Sequence, residues 1–275
     1  MQWLEANGVA LRYEYRRGPG PCRVLIHEMS GALESWDAVC RQLRGSLPYL
    51  RYDTRGAGLS EKIVGETDID TQVEDLTALL DGLGIDGPVA LAGVAVGAAI
   101  AIHFAARQPR RVSHLMAMAP ACGVAAENRS KALAACEQMR RFGVRDHVAS
   151  LLERGWPPAL RTDSARFREF QLRWRTCDPQ SFAAIFRMLA TLDLESDLRQ
   201  LPPRSILVAG RHDQLRPPAE IERLGGLAPQ AETLEVESGH FMPVQNPNWV
   251  AALLTGFVDT NQSAASLYRQ HRDLC

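Results

Sequence analysis

The chain contains the pattern of acyl-transfer chemistry, but the residue at the reactive position cannot perform it. The segment Gly93-Val94-Ala95-Val96-Gly97 has the frame G-x-S-x-G, a sharp turn from strand to helix that presents a nucleophile, and Ala95 holds the place of the serine. Asp213 and His240 follow in the order of an activating acid and base. Because a methyl group can neither attack a carbonyl nor hold a proton, serine hydrolysis through residue 95 is excluded.

The flanking sequence supports this turn. Residues 88–92 form an apolar run typical of a buried strand, and residues 98–106 are helical in length and rich in small side chains. We expect Gly93 and Gly97 to relieve crowding where the strand and helix pack closely. The backbone at Ala95 is then expected to be strained, with its side chain directed into the site.

His240 is the strongest functional candidate, because it follows a strand and the dipeptide Ser238-Gly239 directly. Its expected role is general base and then general acid, with Asp213 holding the imidazole in the correct tautomer. Asp213 is also placed to be a helix N-cap before Pro217, and the two roles are compatible. The remaining histidines considered are expected to be structural: His103, His114 and His212.

Further motifs occupy fixed places along the chain. A strand at residues 24–27 leads into the loop 28–31, a second strand leads into the D-x-R-G-x-G-x-S turn at residues 53–60, and late strands precede Asp213 and His240. In this order, residues 8–258 resemble the α/β-hydrolase family, which implies a doubly wound, mostly parallel sheet. Residues 121–192 are more loosely similar to the helical cap of 3-oxoadipate enol-lactonases and related carboxylesterase-like proteins.

The resemblance implies an oxyanion hole built from the backbone N–H groups of Met29 and Val96. These donors depend on backbone shape, so a change from serine to alanine at residue 95 would leave them intact. Glu28 occupies a place that is usually glycine, and a carboxylate there would oppose an oxyanion unless it is protonated, paired or turned away. Glu28 is expected to point outward or to pair with an arginine, with a catalytic role as the alternative.

Two origins of Ala95 stay open. If it is an engineered inactivating substitution, the parent is a serine hydrolase that acts on an ester, a lactone or a vinylogous carbon–carbon bond. If it is native, His240 and Asp213 could still activate water or abstract a proton, as in a lyase or a cofactor-free enzyme. A third possibility is a catalytically silent ligand-binding protein, against which the retention of both residues argues.

The alternation of strand and helix predicts one α/β core at residues 1–120 and 193–260, a helical cap at 121–192 and a peripheral polar tail at 261–275. The predicted strands are one antiparallel strand from Val9 to Tyr15 and others near Val24, Leu50, Val89, Val112, Ile206 and Leu234. The predicted core helices are Glu34 to Arg44, Thr71 to Leu83, Val96 to Arg107, Pro218 to Leu227 and Pro247 to Phe257.

Composition favours an ordinary cytoplasmic enzyme. The 275 residues have a net charge of -1, which gives no electrostatic case for nucleic acid or a membrane surface. No apolar stretch approaches the ~20 residues that span a bilayer. The six cysteines lack zinc or disulfide spacing and are expected to be free, with Cys122 nearest the site, so we expect neither a metal nor a cofactor.

The expected partner is a small-molecule substrate, and a homodimer is left open. The substrate is expected to be small and partly apolar, enclosed between cap and core, with four candidate wall residues: Phe142, Trp156, Phe182 and Phe186. A carboxylated metabolite of aromatic degradation fits the resemblance, and an arginine of the cap could bind its carboxylate. The arginine-rich segment 166–175 is otherwise expected to be a solvated helix face, with buried partners Phe167, Phe170, Leu172 and Trp174.

Overall fold

A mostly parallel sheet organises the core. The computed structural model describes residues 1–43, 47–260 and 262–274. Its eight-stranded sheet has the order β1-β2-β4-β3-β5-β6-β7-β8. The strands are β1 (Gln2–Ala6), β2 (Val9–Arg16), β3 (Arg23–Ile26), β4 (Tyr49–Tyr52), β5 (Val89–Val94), β6 (Val112–Met118), β7 (Ser205–Gly210) and β8 (Glu232–Val236). Strand β2 pairs antiparallel with β1 and β4, and the other neighbours are parallel.

Helices cover both faces of the sheet, which confirms the predicted fold class. The core helices are α1 (Asp37–Gln42), α2 (Ile69–Gly82), α3 (Val96–Arg107), α8 (Glu195–Leu198), α9 (Pro218–Leu227), α10 (Met242–Gln245), α11 (Pro247–Asp259) and α12 (Ala264–His271). Helices α2, α3, α8 and α9 contribute to one apolar cluster, and α1, α11 and α12 contribute to the cluster on the opposite face. Within the described ranges, no helix is both long and apolar enough to cross a membrane.

Four helices lie between β6 and α8: α4 (Ala126–Phe142), α5 (Arg145–Gly155), α6 (Ser164–Arg175) and α7 (Pro179–Thr191). They form a third apolar cluster that also takes in Phe241, next to His240. Phe170 and Trp174 of α6 are buried as expected, but Leu172 is 47% exposed, so its predicted burial is wrong. Leu172 lies on the α6 face opposite the aromatic contacts of Phe170 and Trp174.

Local packing decided where the elements differ from the sequence-based boundaries. The first predicted helix is a 3-10 turn at Leu33–Trp36 followed by α1, and its predicted end at Arg44 lies outside the described residues. Strand β1 was not predicted, since its alternation is short and leaves Trp3 55% exposed. The expected polar tail contains α12, whose Ala264 and Leu267 are buried against the core, while Asn261 and Cys275 lie outside the described part.

Gly97→Ala should strongly destabilise the protein, since a Cβ there would lie 2.4 Å from the carbonyl oxygen of Ile26 and 2.5 Å from that of His27. Both atoms belong to backbone, which cannot give way as a flexible side chain can. We expect the free energy of unfolding to fall by about 3 kcal/mol in chemical denaturation. Gly87→Ala is the matched control, because nothing lies within 4 Å of its Cβ position. An equal loss in both variants would contradict the close-approach argument.

His103 is expected to make stability depend on pH. Its Nδ1 lies 2.7 Å from Asp197 Oδ2 and its Nε2 lies 3.0 Å from Asp70 Oδ1. The hydrogen bond to Asp197 is the main cause that raises the pKa of His103, against the opposing effect of burial. Arg107, 3.7 Å from Asp70, and Asp68 are the other nearby charges. The folded protein therefore holds this proton more tightly than the unfolded chain does.

This stabilisation should be fully present below the unfolded histidine pKa of about 6.5, and it should be lost as pH rises through the higher folded pKa. Urea titrations of the parent and of His103→Gln across neutral and alkaline pH measure it. The difference between the two proteins should shrink as pH rises. A difference that grows with pH would mean that His103 is held neutral.

Candidate active site

Ala95 lies in the geometry predicted for a nucleophile. It joins β5 to α3 with φ 54° and ψ -115°, a left-handed conformation that a non-glycine residue adopts at a cost. A Cβ on Gly93 would lie 2.3 Å from the carbonyl oxygen of Gly97, so both glycines of the motif are needed for this turn. The fold therefore maintains a strained elbow whose side chain is a methyl group.

His240 and Asp213 form a buried pair at the carboxyl ends of neighbouring strands. His240 Nδ1 lies 2.7 Å from Asp213 Oδ2, and the two residues are 6% and 2% exposed. The other carboxylate oxygen accepts hydrogen bonds from the N–H groups of Leu215 (2.7 Å) and Arg216 (3.0 Å). Because an ionised carboxylate only accepts, Nδ1 of a neutral His240 carries the hydrogen and Nε2 is left to take a proton.

The alternative role of Asp213 as a helix cap is wrong. Helix α9 begins after Pro217, without a side-chain cap, and Asp213 bonds the loop that precedes it. The oxygen that could have capped the helix instead fixes the carboxylate toward His240. The Asp213 side chain therefore stabilises the turn at Leu215 and Arg216 and also orients His240.

Backbone contacts lock the two loops of the pair together. Arg211 N–H donates to Val236 O (2.9 Å) and His212 N–H donates to Ser238 O (3.0 Å). His212 also pairs with Glu237, and this hydrogen bond lowers the pKa of the Glu237 carboxyl. The structural role expected for His212 is thus one of joining the loops after β7 and β8.

A rigid loop follows β3 and carries the expected oxyanion donor Met29. His27 Nδ1 lies 2.6 Å from Glu28 O, and its Nε2 accepts from the N–H of Thr54 at 3.0 Å, which fixes the tautomer. Ser30 has φ 59°, and Gly31 N–H closes the turn onto Glu28 O at 2.9 Å. Val96 is the first residue of α3, where N–H groups lack a partner within the helix.

Asp53 holds the two turns beside the site in place. This fully buried carboxylate accepts from Arg12 Nε (2.6 Å) and from the N–H groups of Leu33 and Leu59 (2.7 Å each). No individual role was predicted from sequence for Asp53 or for His27. A polar residue that directly follows a buried strand could have indicated a role in both cases, since His27 follows β3 and Asp53 follows β4.

Met29 and Val96 line one small cavity between the core and the inserted helices. Its volume is about 30 Å³, room for a carbonyl group rather than for a whole ligand. From the core, it is also lined by His27, Ser30, Gly31, Thr54, Arg55, Gly56, Ala57, Gly58 and Ile100. From the insertion, it is lined by Cys177, Asp178, Ser181, Phe182 and Ile185. We call it the oxyanion cavity.

The candidate wall residues separate into distinct groups. Phe182 lines the oxyanion cavity, and Phe186 packs edge-on against it with ring centroids 6.5 Å apart. Trp156 is buried against Phe167 instead, with its Nε1 donating to Leu160 O. Phe142 is 78% exposed at the end of α4, so its assignment as a wall is wrong.

No arginine of residues 121–192 lines the oxyanion cavity among the described residues; Arg55 does, and its guanidinium is bound to Asp75. The expected cap arginine is therefore absent from this space. Burial raises the pKa of the Cys122 thiol to about 12, so this cysteine stays protonated near neutral pH and is a poor replacement for a missing serine.

Glu28 contradicts the expectation that it points outward or pairs with an arginine. It is 1% exposed, and its Oε1 accepts from Ser35 Oγ at 2.8 Å. Its Oε2 is buried without a hydrogen-bond partner, an arrangement that is costly for a charged carboxylate. The side chain packs over Gly31, where a Cβ would lie 2.6 Å from the Glu28 carboxyl carbon.

A larger cavity of about 380 Å³ lies on the far side of α7, between α4 and residues 63–66. Its lining includes Arg140 and Arg187, and none of the site residues predicted from sequence. Size alone would select this cavity as the active site. His240, Asp213 and the elbow lie instead at the carboxyl ends of the strands, the edge of an open α/β sheet where ligands bind.

Comparison with known proteins identifies the family of this chain. Residues 24–239 match the family described as Serine aminopeptidase, S33 (Hydrolase_4). Lipase LipV of Mycobacterium tuberculosis is 40% identical over 108 residues, which span 38% of this chain and 40% of the lipase. The 3-oxoadipate enol-lactonase 2 of Acinetobacter baylyi is 25% identical over 251 residues, covering 89% of this chain and 91% of that enzyme.

Solved structures share the same fold. The enol-lactonase from Burkholderia xenovorans has a TM-score of 0.85 at 21% identity, covering 94% of this chain and 100% of that one. A thermophilic esterase from Thermogutta terrifontis has a TM-score of 0.84 at 21% identity, covering 100% of this chain and 99% of its own. With a family match over most of its length, this chain belongs to the serine aminopeptidase S33 family of α/β-hydrolases.

Proposed function

We propose that the protein has the active-site architecture of a hydrolase that acts on a small, partly apolar carbonyl compound. The bond cleaved would be that of an ester, a lactone or a vinylogous carbon–carbon bond, and residue 95 occupies the nucleophile position. The observation that carries this proposal is the buried Asp213–His240 hydrogen bond of 2.7 Å. A carboxylate that fixes the imidazole tautomer is the arrangement a general base needs. The elbow at Ala95 supplies the matching strained turn.

The inserted helices support a role as a cap over the substrate. Residues of α7 and of the segment before it form one side of the oxyanion cavity, and Met29 and Val96 form the other. A carbonyl oxygen between them would meet the backbone donors, while Phe182 and Ile185 would contact an apolar group. The lactonase and esterase among the similar proteins fit this substrate class. A carboxylated metabolite of aromatic compounds is one proposed member of the class.

A non-hydrolytic enzyme is the second candidate, and Ala95 is the observation that favours it. With no nucleophile at the elbow, the free Nε2 of His240 would act directly on water or on a substrate proton. A catalytically silent binding protein is the third candidate. It would have no need for a fixed imidazole tautomer, and two buried polar residues would be an unexplained cost to it.

Turnover of a panel of small esters and lactones by the Ala95→Ser variant tests the first candidate, with the unchanged protein as control. Hydrolysis that appears only in the variant supports the proposal. Loss of that activity in the combined Ala95→Ser and His240→Ala variant would assign it to the proposed base. If no ester or lactone is turned over by the folded variant, the hydrolase proposal is wrong.

A further inference from the structure

We propose that the side chain of Ser30 is a third hydrogen-bond donor of the oxyanion cavity, beside the backbone N–H groups of Met29 and Val96. This inference deepens the proposed function by assigning the group that recognises the substrate oxygen. The ligand chemistry it fits is an oxygen with two or more free lone pairs, a carbonyl that becomes an oxyanion or one oxygen of a carboxylate. The cavity then holds donors from both the backbone and a side chain.

The first observation is an unpaired hydroxyl at the right place. Ser30 lines the oxyanion cavity together with Met29 and Val96. Its Oγ is buried and has no hydrogen-bond partner. Most buried polar side-chain atoms in folded proteins are satisfied, so an orphaned hydroxyl in a cavity wall calls for an external partner.

The backbone of Ser30 is the second observation. Its φ of 59° lies in the left-handed region, where glycine would be favoured and a residue with a Cβ is strained. The turn therefore carries a side chain at a position where a glycine would be more stable. A hydroxyl that contacts ligand is a physical reason for keeping serine there.

The protein group nearest to the Ser30 hydroxyl is a weak acceptor, the thiol of Cys177, which lines the same cavity. Ser30 Oγ lies beside the thiol of Cys177, but no contact of this hydroxyl meets the geometry of a full hydrogen bond. Burial is the main cause that raises the pKa of the thiol, and the weak contact with Ser30 acts in the opposite direction. A neutral thiol is a weak acceptor. An oxygen of a ligand placed between these walls would accept more strongly from Ser30 than Cys177 does.

Benzoate binding tests this inference in the protein as it is, with alanine at residue 95, because a carboxylate oxygen needs no nucleophile in order to occupy the cavity. In amide-resolved NMR titrations, benzoate should shift the Met29 and Val96 signals. Ser30→Ala and Ser30→Gly should each weaken the Kd by about tenfold or more, the expected effect of losing one hydrogen bond to a charged group.

The two substitutions separate the hydroxyl from the backbone. Both remove Oγ, but glycine relieves the left-handed strain and alanine retains it. Equal losses of affinity support the hydroxyl as donor, whereas an unchanged Kd in Ser30→Ala would overturn the inference. Ser205→Ala is the matched control, since that buried hydroxyl donates to Pro202 O at 2.6 Å away from the site, and its benzoate Kd should stay within about twofold.

The outcome is independent of the hydrolase proposal. If benzoate leaves the Met29 and Val96 signals of the parent unshifted, the third-donor inference is wrong even if Ala95→Ser hydrolyses esters. If Ala95→Ser is inactive but the Ser30 variants lose benzoate affinity, the donor stands and the hydrolase proposal fails. With an active Ala95→Ser variant, adding Ser30→Ala should lower kcat by about a hundredfold while KM changes little, as for removal of one oxyanion donor.

Discussion

Replacing Ala95 by serine should convert a protein with almost no esterase activity into one that forms a covalent acyl-enzyme. The elbow backbone at φ 54° and ψ -115° and the 2.7 Å Asp213–His240 hydrogen bond are both present without the nucleophile. In a well-studied triad, loss of the nucleophile costs about a millionfold in turnover. Restoring it should recover several orders of magnitude of that rate.

Two measurements check this result. Hydrolysis of a p-nitrophenyl ester should show a burst in Ala95→Ser and none in the parent, and a fluorophosphonate reagent should label residue 95 of the variant. The combined Ala95→Ser and His240→Ala variant is the control, because it keeps the hydroxyl and loses the base. Rapid ester hydrolysis with a burst by the unchanged protein would show that another residue attacks.

Glu28 determines what it would mean if the fluorophosphonate failed to label the Ala95→Ser variant. Its buried carboxylate lies in the loop that carries Met29, and one of its oxygens has no partner. If Ala95→Ser fails to label but Ala95→Ser combined with Glu28→Gly does label, both residues diverged together in a native protein. An engineered substitution would account for Ala95 alone, so the single change would then suffice.

Asp213→Asn should lower kcat by about ten-thousandfold in whichever form of the protein turns over substrate, through loss of the correct histidine tautomer. The asparagine amide would place donors against His240 Nδ1 or against the N–H groups of Leu215 and Arg216, which the carboxylate now satisfies. His240→Ala should abolish turnover. Ligand binding should remain largely intact in both variants, because neither residue holds the substrate.

Asp197→Asn is the matched control for this experiment. Asp197 is also buried and also lies 2.7 Å from a histidine Nδ1, that of His103, but this pair joins α3 to α8. The control should lose stability and keep kcat. If a genuine substrate is turned over by His240→Ala at the parental rate, the histidine is a structural relic, and another site or a binding function takes its place.

Seven of the eight strands, the elbow and the identity of the paired residues Asp213 and His240 could be predicted from sequence, but the short strand β1 could not. These features rest on local requirements that few residue types satisfy. The backbone of β3 passes so close to Gly97 that no Cβ fits, and a polar residue must follow each apolar strand that ends at the site. Helices α3 and α9 were also predicted with their correct bounds. Their boundaries depend on local sequence, because apolar periodicity and proline indicate where a helix begins and ends.

The pairing of buried polar groups could not be predicted from sequence, because it depends on how the elements pack. Glu28 bonds Ser35, His103 lies between Asp70 and Asp197, and Ser30 Oγ has no partner in the cavity wall. The residues in each of these contacts come from separate elements or from the two sides of a turn, and their distances follow from how helices pack on the sheet. The sequence shows which residues are polar and therefore costly to bury. Whether a hydrogen-bond partner lies within reach depends on how the elements pack in the folded protein.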